Sequence, residues 1–192
     1  MRGLRKILLL TAILSVGFGA YARLTAASAL KTMPGEQLGA LSAAKVADLV
    51  EYANAGMLTH TERNAAGAEA RILVLDSLHA ELQTGPGRVL TLDLLPQKGD
   101  TVIAVIETLT SQMADSRLSV YSRTWKPQPK LWQEPKASVW GKLDEVPIVM
   151  AEYSYDPATQ VLTLVNTSEL KAKMRPSLRY RWTAKGFRLI KD

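Results

Sequence analysis

Between residues 78 and 122 apolar side chains recur at every second position, and short turn-forming runs interrupt them. Leu78, Ala80 and Leu82 alternate with His79, Glu81 and Gln83, and Leu90, Leu92 and Leu94 alternate with Thr91 and Asp93. A period of two marks strands with one buried face. Thr84-Gly85-Pro86-Gly87 and Pro96-Gln97-Lys98-Gly99-Asp100 separate the runs with turn chemistry. Connections this short join antiparallel neighbours, because a parallel pair needs a crossover of roughly a dozen residues or more. Residues 101–109, rich in Val and Ile, form the most apolar run and are expected at the centre of the sheet. Asp115 and Ser116 lead into a further strand over 117–122, with Leu118 and Val120 on one face. Shorter strands are expected over 58–63 and 71–75.

Ahead of the sheet the period is helical. Met33-Pro34 opens the ordered part, Pro34 suiting a first turn where its missing N–H is no loss. Leu38, Leu41, Val46, Leu49 and Val50 follow at helical intervals, Ser42 is placed to cap a second helix, and Gly56 to stop it. Residues 23–32, small and polar, are expected to be a flexible leader. After the meander, Trp125, Pro127, Pro129, Trp132 and Pro135 mark an extended linker or edge segment, since proline is excluded from central strands. Beyond it the pattern predicts a short helix over 139–145, strands over 148–155 and 161–165, and a helical stretch running from 167 or 168 to 173. A last hairpin is expected over 178–183 and 187–190, turning at Ala184-Lys185-Gly186. The fold class is α+β: an N-terminal helix pair packed on a long, mostly antiparallel meander sheet with one covered face. Residues 33–192 are expected to form one domain, with a sub-division near 124–147. Whether the late strands extend the first sheet or fold apart is left open by the pattern.

The N-terminus has the layout of a cleavable export signal over residues 1–22. Arg2, Arg5 and Lys6 precede an uncharged apolar run, and Ala20-Tyr21-Ala22 supplies a small-x-small cleavage site, with alternatives after Ala27 or Ala29. The run is shorter than the roughly 20 residues of a spanning helix, so no transmembrane segment is expected after the leader is removed. With no Cys in the chain, disulfide staples, a lipid-modified cysteine and thiolate metal sites are excluded. Three basic residues leave with the leader, so the formal charge of +6 falls to +3. A nucleic-acid partner is therefore not expected. Basic residues concentrate only at Lys171, Lys173, Arg175, Arg179 and Arg181, a cluster suited to acidic glycans or lipid headgroups, or to a solvated face.

Catalytic motifs are absent from the pattern. There is no Gly-x-Ser-x-Gly elbow and no phosphate-cradling glycine loop before a helix. Asp76, Asp93, Asp115 and Glu107 fall at turns or on the solvated phase of strands. His79 shares a strand face with Glu81, and with His60 the two would make a metal site only if the strand over 58–63 paired beside His79. No catalytic residue, metal or cofactor is expected on this basis. The candidate ligand- or partner-binding residues are Trp125, Trp132, Asp115, Arg117 and His79. An exposed tryptophan in a proline-stiffened segment can anchor a partner or a sugar ring, or it can fold back to plug the sheet. Asp115-Ser116-Arg117 can hold a polar ligand or form an Asx turn.

Several short motifs fall in a telling order: Met33-Pro34, then Asp48-Leu49-Val50-Glu51-Tyr52 leading to Ala55-Gly56-Met57, Leu92-Asp93-Leu94-Leu95-Pro96, Asp115-Ser116-Arg117, Tyr121 before Trp125-Lys126-Pro127, and Tyr180-Arg181-Trp182. In this the chain resembles a secreted family of Bacteroidales bacteria known as domain of unknown function 3256. The resemblance implies a Gram-negative periplasmic or envelope setting and carries no catalytic residue with it. The function expected is non-enzymatic binding of a small ligand or an envelope protein. The alternative is a hydrolase or isomerase with a pocket in a cone-like α+β fold.

Overall fold

The computed structural model describes residues 23–141, 149–168 and 174–191. The expected leader at 1–22, most of the expected helix over 139–145 and the end of the stretch over 167–173 lie outside these residues.

Helix α1 (Ala26–Lys31) occupies most of the segment expected to be a flexible leader. Its N-terminus is closed by a capping box, in which the Thr25 hydroxyl accepts from the Ser28 backbone N–H and the Ser28 hydroxyl from that of Thr25. Ala26, Ala29 and Leu30 are buried, so a run that looks small and polar is an amphipathic turn with a real core face. Helix α2 (Gly35–Leu38) is a single turn after Pro34, shorter than expected. Helix α3 (Ala43–Asn54) is capped by Ser42 and buries Val46, Leu49 and Val50. The pair that packs on the sheet is thus α1 with α3.

Strands β1 (Glu62–Arg63), β2 (Glu69–Leu75), β3 (His79–Gly85), β4 (Arg88–Gln97), β5 (Asp100–Thr110) and β6 (Ala114–Ser122) pair in chain order as one antiparallel meander. One face meets the helices through Ile72, Leu82, Leu90, Leu92, Ile103 and Val105. The opposite face, expected to be open, is covered as well. Here Leu95, Val102, Ala104, Ile106, Leu118 and Val120 lie under a second sheet of β7 (Ala151–Asp156), β8 (Val161–Asn166), β9 (Ser177–Thr183) and β10 (Gly186–Leu189). Its order is β10-β9-β8-β7, all antiparallel. The unbroken apolar run from Val102 to Ile106 is the sequence trace of this arrangement, since β5 is buried on both faces. The architecture is α+β in the broad sense: mostly strand, with α1, α2 and α3 on one side of the first sheet.

The proline-rich segment runs along two strand edges. It bridges β6 where Pro127 pairs with Tyr121 and Gln128 N–H donates to Val120 O (2.8 Å). It then reaches β10, where Phe187 N–H donates to Leu131 O (2.9 Å). That approach needs Gly186: its φ is +93°, and a Cβ there would stand 2.1 Å from Leu131 O. Helix α4 (Ala137–Trp140) closes the segment and buries Trp140.

Candidate functional site

Strands β6 and β7 belong to different sheets and meet through side chains instead of a backbone ladder. Asp115 Oδ1 accepts from Ala151 N–H (3.4 Å), Ser116 Oγ accepts from Tyr153 N–H (3.1 Å), and the Thr167 hydroxyl donates to Ala114 O. Asp115 therefore serves neither an Asx turn nor a free ligand site alone; it holds the edge of a neighbouring strand. Where the seam widens towards α4 it leaves a cleft of about 620 Å³, lined by Asp115, Arg117, Glu134, Trp140, Val149 and Tyr153 among others. A smaller cleft of about 240 Å³ runs along β6 and shares Arg117 and Glu134.

The charges in this cleft differ in how they are held. Glu134 accepts from Trp132 Nε1–H (3.1 Å), Leu118 N–H (3.4 Å) and the Tyr153 hydroxyl, which fixes its carboxylate. Burial first, then the bond to Glu134 and its charge, push the Tyr153 hydroxyl well above the usual phenol range, so it remains a donor. Arg117 stands exposed, and its cross-strand neighbour Glu107 is occupied by Arg88 at 2.6 Å. Among the described residues the Arg117 guanidinium has no hydrogen bond or ion pair. The cleft thus combines a fixed anion, an apolar wall of Trp140 and Val149, and a fork of unengaged donors, which can take a ligand with an anionic group and an apolar body.

A second group of ionisable residues lies under the other end of the second sheet. His79 and Asp93 are register partners on β3 and β4, and their side chains meet at 2.8 Å (Nδ1 to Oδ1). His79 Nε2 lies 3.5 Å from Glu81 Oε1, and Asp76 Oδ1 accepts from the backbone N–H groups of Leu78 and His79. Far from sitting on a solvated phase, Asp93 has a side chain only 3 % exposed, and its Oδ2 has no hydrogen-bond partner among the described residues. The cause is that the alternate face of β4 lies under the second sheet. The hydrogen bond to Asp93 raises the His79 pKa against the opposing effect of burial. Burial raises that of Asp93, with His79 opposing. Tyr155 on β7 is pushed up to about 12 by burial and by the Asp93 charge. An imidazole held by a buried carboxylate is chemically suited to proton transfer.

Of the remaining candidates, Trp132 backs the first group through Glu134 and Tyr153, and Trp125 stands apart from both. Trp132 is 7 % exposed and packs edge-on against Tyr153, Tyr180 and Phe187, so it plugs the space between the sheets and offers no exposed anchor. Trp125 is half-buried, leans on Tyr121, and donates from Nε1 to Thr32 Oγ1 (3.2 Å). His60 stacks on Tyr52 and pairs with Glu62. Strand β1 joins β2 and not β3, so His60 and His79 do not converge. Among the described residues no group of three His, Asp or Glu side chains could hold a metal ion. No helix among them is long and apolar enough to cross a membrane. The sequence reading missed Glu134 and Tyr153, which line the same cleft as Arg117, because only tertiary packing brings residues of the proline segment to β7. For Asp93 a signal existed: it interrupts an otherwise apolar strand beside the most buried one.

A family model described as "Protein of unknown function (DUF3256)" matches residues 24–187. Among solved structures, a domain of an uncharacterized protein from Porphyromonas gingivalis W83 is similar, with a TM-score of 0.69 and 21 % identity over 86 % of this chain and 98 % of that one. At such identity the likeness concerns the fold alone. No curated protein matches the chain.

Proposed function

The chain belongs to the DUF3256 family of proteins of unknown function, and from that premise we propose that it is an exported envelope protein that binds a ligand without transforming it. Export is supported by the basic, apolar and small-x-small order of residues 1–22. Binding is supported above all by one observation: the exposed, unengaged Arg117 at a cleft of about 620 Å³ whose other charges, Glu134 and Asp115, already accept hydrogen bonds. Arg117 recognises an anionic group by paired N–H donors, while Trp140 and Val149 receive the apolar part of the same molecule. Asp115 keeps the seam closed behind the ligand and sets its far wall.

The test is a fragment screen by ligand-observed NMR, using small aromatic and aliphatic carboxylates. Binders are expected for the wild type and are expected to be lost in Arg117→Ala, with the melting temperature unchanged. An identical set of binders in both proteins would remove the cleft as the site. A second reading, a hydrolase or isomerase, is favoured by the imidazole of His79 held at 2.8 Å by Asp93. Turnover of a generic ester or peptide panel that vanishes in His79→Ala would establish it; turnover that survives the substitution would count against it.

A further inference from the structure

The outward face of the second sheet carries an unbalanced array of arginines. Leu178, Tyr180 and Trp182 of β9 point into the core, so Arg179 and Arg181 point out. On β10, Arg188 lies directly opposite Arg181. Like charges in that relation repel, and an acidic residue on β8 would relieve them. The β8 residues opposite Arg179 and Arg181 are instead Thr163 and Val161. From 161 to 192 the sequence has two acids, Glu169 and Asp192, against eight basic residues, and neither acid lies on β8, β9 or β10. Arg188 donates to Lys185 O (2.7 Å), and the Arg179 and Arg181 guanidinium groups have no hydrogen bond or ion pair among the described residues. The outward acids of this face, Glu152 and Asp156, sit on β7, two strands away from β9. The Asp156 carboxylate is engaged by Ala158 N–H and the Thr159 hydroxyl. Strand spacing puts that edge about 10 Å from β9, more than a Debye length at physiological salt.

We infer that the outer face of β9 and β10 docks on an anionic phospholipid surface. The shape of the array selects this occupant. The cations repeat about 5 Å across strands and about 7 Å along them on a pleated plane. A plane of headgroup phosphates meets such a face at many points, whereas a single linear polyanion fits best in a groove. Attraction of this kind adds up per basic residue and is screened by salt. The β7 acids then fix the orientation, with the β9–β10 hairpin towards the lipid and the β7 edge away from it. The inference is independent of the Arg117 cleft, which opens on a different part of the molecule.

The test is co-sedimentation of the full chain with vesicles of phosphatidylglycerol and phosphatidylethanolamine, against vesicles of phosphatidylcholine. Three proteins are compared: wild type, Arg181→Ser with Arg188→Ser, and a control of equal charge change, Arg71→Ser with Lys98→Ser. All share residues 1–22, so any contribution of that segment appears in every arm. Anionic vesicles are expected to capture the wild type and the control at low salt and release them as salt rises. The double variant on β9 and β10 is expected to lose about tenfold or more in apparent affinity. Equal capture by both vesicle types, or an equal fall in the control, would overturn the proposal. So would capture on heparin beads without capture on anionic vesicles, which would point to a chain-like polyanion.

Discussion

The two faces of the first sheet are buried by different chemistry. On the helix side the layer is built from Leu, Ile, Val and Ala with Met33, and Tyr121 is its one buried aromatic among the described residues. On the other side three of the four tryptophans, Trp132, Trp140 and Trp182, join Tyr180 and Phe187 between the sheets. Buried or half-buried ionisable groups whose protonation is shifted, His79, Asp93, Tyr153 and Tyr155, lie with the second sheet, while the helix side holds the Arg88–Glu107 pair at its rim. Aliphatic side chains interdigitate without needing partners. Aromatic rings carry edges and polar handles that demand them, so an aromatic layer leaves irregular space and keeps polar groups close to it. The cleft beside Trp140 and the Asp93–His79 pair both arise on that side for this reason.

Removing one large side chain from each layer would break the contrast most directly. Trp132→Ala is expected to cost about 4 kcal/mol, since the ring touches Tyr153, Tyr180 and Phe187 and its Nε1–H satisfies Glu134. Leu82→Ala in the helix layer should cost about 3 kcal/mol, with no change in the cleft. Urea unfolding gives both values, and NMR shifts at Arg117 report the cleft. Loss of the Arg117 signals in Leu82→Ala and not in Trp132→Ala would reverse the assignment of layers. Next in size is Gly186→Ala, expected to lose about 2 kcal/mol because the φ of +93° and the nearby Leu131 O leave no room for a Cβ. An unchanged melting temperature would mean that the proline segment is not fastened at β10.

Much of the helix layer was legible in the sequence, and little of the aromatic one. The alternation from Leu78 to Leu94 and the cap at Ser42 give the meander and α3 directly, because both rest on local periodicity. The misreading of α1 came from its Ala-rich face, where short side chains bury completely without looking hydrophobic. The cover on the second face is a non-local property. Strands β7 to β10 look like any antiparallel set, and only the two-sided apolar run over β5 hints at where they go. The site suffered most: Asp115 and Arg117 stand together in sequence, but Glu134 and Tyr153 reach them through the fold.

The polar part of the aromatic layer should announce itself through pH. His79 binds its proton more tightly folded than its ordinary value of 6.5 implies, owing first to the hydrogen bond with Asp93. Its contribution is therefore fully present below about pH 6.5 and is lost as pH rises through the folded value. Asp93 is also raised, by burial, so its proton too is held more tightly in the folded chain, and the two effects act in the same direction. Stability is expected to fall as pH rises from about 6.5 through the folded His79 value, with the slope flattened in Asp93→Asn. Urea titrations at several pH values measure it. An equal slope in wild type and Asp93→Asn would detach the pair from stability.

The smallest expected effect concerns the one tryptophan that belongs to neither aromatic cluster nor open surface. Trp125 has a φ of +61°, a costly conformation for a bulky residue, and it is held there by the turn that carries the chain from β6 into the proline segment. Its ring packs on the helix layer and donates to Thr32 Oγ1 just after α1. Trp125→Phe keeps the apolar contact and removes the donor, which at a half-exposed site should cost about 0.5 kcal/mol. If the indole instead served as an anchor for a ligand, the same substitution would weaken binding while leaving the melting temperature in place. A thermal melt read beside the fragment screen separates the two: a small stability loss with binding intact assigns Trp125 to the joint between α1 and the linker.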